Sequence, residues 1–170
     1  MSGLLSAFTD GLLNPILVPA HVLALVALGL FIGQRQGRGL TLLIFAAGLA
    51  SGLVAIALAV GQTPARNLLL AAAALLGVLV AAARVLPPPI GWLLAGIVGA
   101  VLALDSPPRA LTIAEGNATL IGTALGAGAI LAAVAALAAH AKQGWLGLGI
   151  RILGSWMAAS AIFVLAVLLK

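Results

Sequence analysis

The sequence predicts an all-α fold, a polytopic membrane bundle of six transmembrane helices in one domain spanning residues 1–170. Three observations predict it. Hydrophobic residues make up 64% of the chain and charged residues 6%, with a mean hydropathy of +1.31; soluble domains carry about 45–50% apolar and about 25% charged residues. The apolar residues come in runs near the roughly 20 needed for a helix to cross about 30 Å of hydrocarbon. The runs also lack the period-two alternation of a membrane β-barrel.

Taken in order, the first run covers 15–33 and opens on Asn14-Pro15, a good helix start because Asn caps free N–H groups and Pro tolerates the first helical position. Gly, Gln and Arg at 33–39 end it, and the second run follows over 40–60. Gln62-Thr63-Pro64 precedes a third run over 67–86, and Pro87-Pro88-Pro89 separates that from a fourth, short run over 90–104. A long connection, 105–117, leads to the fifth run over 119–139, with Asn117 as the expected helix cap. The sixth run covers 145–169. Gly48-x-x-x-Gly52 and Gly122-x-x-x-Gly126 are small-residue pairs suited to close helix packing, within one chain or between copies.

Charge predicts orientation. The first, third and fifth loops and adjoining helix ends hold Arg35, Arg38, Arg84 and Lys142, with Arg151 a short way into the sixth run, against Arg66, Arg109 and Lys170 on the other side. The excess marks the first side as cytoplasmic, so both termini face outward from a plasma or inner membrane. In that setting the formal charge of +5 is a topology signal and gives no reason to expect nucleic acid. Cys is absent, which removes thiolate ligands and disulfides. No Ser, His and acid fall into a catalytic arrangement, so an enzyme is not expected.

Polar residues at the mouth of an apolar helix are costly and ask for a reason. His21, the earlier of two histidines, lies seven residues after Asn14, nearly in line on an unbroken helix. Pro19, inside the second turn, removes a hydrogen bond and leaves a carbonyl that needs protein or water nearby. All three acidic residues, Asp10, Asp105 and Glu115, fall on the same outer side. Together with His21 and Asn14 they form the candidate entrance for a cation or hydrogen-bonding solute, the alternative being that His21 caps a neighbouring helix or snorkels. At the other side, Arg151 and Ser155 share a helix face, with Trp156 next to them. They read as an inner vestibule, a lipid-phosphate contact or a snorkelling arginine with an aromatic anchor.

The stretch from Leu12-Leu13-Asn14-Pro15 through His21 to Gly29, with Gly149-Ile150-Arg151 and Gly154-Ser155-Trp156 near the end, resembles the HupE/UreJ family of membrane proteins. That resemblance implies a role beside hydrogenase or urease maturation and transport of nickel or cobalt. The family opens His-Pro-x-x-Gly-x-Asp-His; here Pro15 and His21 match, while Asn14, Val18 and Ala20 replace the first His, the Gly and the Asp. The family's later Phe-His-Gly-x-Ala-His-Gly motif has no counterpart, since His140 stands alone. Imidazole suits nickel and carboxylate supplements it, so His21 is the ligand that remains. The expected function is transport of nickel, cobalt or another small solute. The alternatives are a non-transporting accessory subunit of a larger membrane complex and a pore for a neutral solute such as urea or ammonia.

Overall fold

The computed structural model describes residues 2–35, 38–58, 64–83, 86–106, 112–141 and 144–169. Of the charges used to predict orientation, Arg84, Arg109, Lys142 and Lys170 lie outside the described residues. The fold is all-helical: α1 Ser2–Leu17, α2 Pro19–Gly33, α3 Arg38–Ala57, α4 Ala65–Ala81, α5 Pro88–Leu104, α6 Ile113–His140 and α7 Gly144–Leu168. Among the described residues, α3, α6 and α7 are each long and apolar enough to cross a membrane. The pair α1–α2, bent by 70°, makes a fourth if it counts as one broken span, while α4 and α5 are shorter apolar helices.

The start of the chain departs from the sequence reading. Asn14 does not open a helix but sits in the last turn of α1, where its carbonyl accepts from Val18 N–H at 3.1 Å. The helix breaks at Val18, whose φ of −97° and ψ of 111° are extended. A residue before proline is pushed out of the α region, and Pro19, lacking an N–H, starts α2 at no hydrogen-bonding cost. The bend also removes the expected alignment of Asn14 with His21. Capping did not decide where α1 begins; packing did. A Cβ at Gly11 would overlap the Thr119 carbonyl, and one at Gly122 the Phe8 carbonyl, so the α1 and α6 backbones touch through glycine.

Helix α6 also starts earlier than expected. Thr112 is its cap, the hydroxyl accepting from Glu115 N–H at 3.2 Å, and Asn117 lies exposed inside the helix. The six-residue difference shortens the connection from α5.

Helix α2 is the hub. Twelve of its fifteen residues are buried, including Leu25, Leu28 and Phe31. A helix that is apolar all round is stable only when surrounded. Neighbouring positions give the helix directions. Gly29 and Gly33 of α2 meet Val134 and Ala138 of α6, and Gly3 of α1 meets Glu115, so α1 and α2 run parallel to α6 along successive stretches of it. Gly48 and Gly52 of α3 meet Gly96 and Ala100 of α5, also parallel. Helices α4 and α7 are antiparallel, with Gly77 against Ala158 and Ala81 against Arg151. One end of the bundle therefore gathers Asp10, Asp105, Glu115 and Arg66, and the opposite end Arg35, Arg38, His140 and Arg151.

Candidate functional site

Three helix ends meet at the acidic end: the starts of α2 and α4 and the close of α5. His21, in the first turn of α2, is fully buried, and its Nε2 lies 3.1 Å from Asp105 Oδ2. Asp105 caps the end of α5, where the helix dipole disfavours a negative charge. The imidazole and the guanidinium of Arg66, whose Nε is 3.6 Å from the same oxygen, offset that cost. Exposure falls inward through the cluster: the side chain of Arg66 is 55% exposed, that of Asp105 11% and that of His21 0%. His21 Nδ1 is buried and has no hydrogen-bond partner among the described residues.

Asn14 joins this end by another route. Its Nδ2 donates to Ser106 Oγ at 3.3 Å, and Ser106, itself buried, donates to the Leu102 carbonyl at 2.9 Å. That pair ties α1 to the end of α5 and satisfies a carbonyl of its last turn.

Of the five residues expected at the entrance, His21, Asp105 and Asn14 come together at the close of α5. Asp10 is exposed on α1, and Glu115 stands against Gly3 at the α1–α6 contact. Neither is hydrogen-bonded or ion-paired to His21 or Asp105. Among the described residues no group of three or more His, Asp or Glu could hold a metal ion. The acids share an end because topology puts them there, and the packing of α1 on α6 keeps two of them apart from the third.

At the basic end, Arg151 Nε donates to the Ala81 carbonyl at 3.0 Å, closing the end of α4. Ser155 bonds Ile152 of its own helix, and Ser155 and Trp156 are exposed, the tryptophan by 67%. All three residues are exposed on the bundle surface. Arg35 lies with its guanidinium 4.2 Å from the Phe31 ring, and partial burial holds its pKa below the usual arginine range.

Sequence reasoning missed Arg66 and Ser106. Both were readable as helix-end residues on the same side as Asp105, and only the fold shows them touching the site. A cavity of about 350 Å³ between α3 and α6, lined by Phe45, Leu49, Leu53 and Leu131 among others, offers no side-chain hydrogen bond. The polar chemistry is at the His21–Asp105 cluster. No family model, curated protein or solved structure matches the chain.

Proposed function

We propose that the protein is a six-span integral membrane protein that carries a small cationic solute past His21 and Asp105, with nickel or cobalt as the first cargo to test. The observation that carries this reading is a fully buried imidazole 3.1 Å from a carboxylate inside an apolar bundle. Ionisable groups at such depth are costly and in membrane proteins mark solute or ion pathways. Imidazole nitrogen and carboxylate oxygen are both ligands that a divalent transition metal accepts.

The directions of packing support six crossings. Parallel α2 and α6, parallel α3 and α5, and antiparallel α4 and α7 are the relationships required if successive spans alternate in direction. Helices of 15 and 17 residues are only about 22–26 Å long. Their ends would fall short of the interface, where unpaired carbonyls are costly. Arg151 on Ala81 and Ser106 on Leu102 meet that need. Arg35, Arg38 and Arg151 at one end support a cytoplasmic assignment for it, which sets the His21 end and both termini outside a plasma or inner membrane. Exposed Trp145, Trp156 and Phe163 suit contact with lipid.

The test is uptake of nickel and cobalt by cells that lack their own transporters for these ions. Expression of the chain should raise accumulation, and His21→Ala at matched membrane abundance should abolish the gain. Equal uptake by parent and variant would remove His21 from the pathway.

A second reading, an accessory subunit of a larger membrane complex, is favoured by one observation: the Asp105 oxygen is already engaged by His21 and Arg66, as a structural tie would be. It requires copurification with a specific partner and no stabilisation by solute, whereas a binding protein gains stability with ligand.

A further inference from the structure

Arg66 lies beside the carboxylate that the transport reading assigns to an arriving cation. Its guanidinium shares Asp105 Oδ2 with His21, at 3.6 Å against 3.1 Å, and it is the exposed member of the three. Its planar guanidinium carries five N–H donors and no acceptor, so it competes directly with a cation for the carboxylate oxygens. A separation of 3.6 Å exceeds ordinary hydrogen-bond length, and a half-exposed ion pair is weak. The guanidinium can therefore leave the carboxylate at small cost. His21, sealed in the core, cannot.

Resting on the transport reading above, we infer that Arg66 is a built-in competitor for the Asp105 carboxylate, which sets how tightly a cationic solute is held. With Arg66 docked, the carboxylate is neutralised and the bundle tolerates it near lipid. When a divalent cation reaches Asp105, the guanidinium swings to solvent and the imidazole stays as the fixed neighbour. Arg66 is thus an affinity-setting residue: any cation that takes Asp105 must first displace the guanidinium, and each is weakened by that cost.

The competitor and the structural tie predict opposite signs. The full-length protein, purified in detergent, is titrated calorimetrically with nickel chloride and with cobalt chloride. Arg66→Gln should bind nickel about tenfold more tightly than the parent, the size expected from removing one partly screened like charge near a divalent ion. Arg66→Lys, which restores the charge, should return the affinity to within about threefold of the parent, and Asp105→Asn should weaken binding by at least about tenfold. Arg66→Met keeps the aliphatic stem and replaces Arg66→Gln if that variant does not fold. Unchanged or weaker binding in the neutral variants, with binding still lost in Asp105→Asn, overturns the role of Arg66 alone. Failure of both neutral variants to fold makes Arg66 a structural tie and also overturns it. No nickel or cobalt binding in any chain, the neutral variants included, overturns both the inference and the cation reading beneath it.

Discussion

The guanidinium of Arg151 on α7 donates to the main-chain oxygen of Ala81 on α4 at 3.0 Å, so a side chain of the last helix closes the end of another. The last carbonyls of a helix have no partner within it. Here Ala82 N–H bonds Val78, Ala83 N–H bonds Val80, and Ala83 turns out of the helix with φ of 49°. Arg151 supplies the donor for Ala81 and places a cation at the negative end of the helix dipole. Arg151→Ala should lower unfolding free energy by about 1 kcal/mol, and Arg151→Lys by less, in denaturant titrations of the micellar protein. An alanine variant as stable as the parent would show that the lipid headgroup or water replaces the arginine without loss.

Glycine substitutions should divide by what their new Cβ meets. At Gly48 it would overlap the Gly96 carbonyl, and at Gly11 the Thr119 carbonyl, in both cases main chain that no rotamer change can move aside. Nothing lies within 4 Å at Gly128 or Gly149. Gly48→Ala and Gly11→Ala should each cost about 1–3 kcal/mol through displaced helices. Gly128→Ala and Gly149→Ala should be neutral or stabilising by up to about 1 kcal/mol, because alanine loses less backbone entropy in a helix. Thermal unfolding of the four variants side by side checks the division, and a uniform response would mean that these contacts do not fix the helix spacing.

The same glycines show what the sequence made legible. Gly48 and Gly52 were readable as a packing face because their four-residue spacing puts them on one side of a helix, and both do meet α5. Composition and run length likewise pointed to apolar helices. The break at Val18 was half-legible: Pro19 announced a lost hydrogen bond, but Asn14-Pro15 carried a strong local start signal. That signal was overridden by glycine contacts with a helix more than a hundred residues away. Thr112 with Glu115 three residues later was a readable start for α6, hidden by treating 105–117 as one loop. The site itself was legible only in its ingredients. His21 and Asp105 are 84 residues apart, and their meeting depends on α2 and α5 packing end to opposite end.

That meeting can be measured. Removing Asp105 leaves the buried Nε2 of His21 without its partner, whereas removing Arg66 exposes little that water cannot reach. Asp105→Ala should therefore destabilise more than Arg66→Ala. A double-mutant cycle with His21→Ala and Asp105→Ala should give a coupling of about 1–2 kcal/mol, read from unfolding free energies. Additive losses would mean that the two side chains are neighbours without being partners.

The bend between α1 and α2 has two independent causes, and they can be separated. Pro19 forces Val18 into an extended conformation, but α1 and α2 are also fastened to successive stretches of α6, at Gly11 and Gly122 and again at Gly29 and Gly33. If tertiary contact dominates, Pro19→Ala restores an N–H and yet leaves the 70° bend in place, because straightening would tear α1 from α6. Spin labels at the exposed positions Leu5 and Leu68 should then report the same narrow distance in the parent and in Pro19→Ala. Adding Gly11→Leu, which drives α1 away from the Thr119 carbonyl, should broaden the distribution and release Asn14 from Ser106. A shift with Pro19→Ala alone would assign the bend to the proline. In that case α1 would be a swinging element over the His21 end, held in place by local backbone geometry and not by its seat on α6.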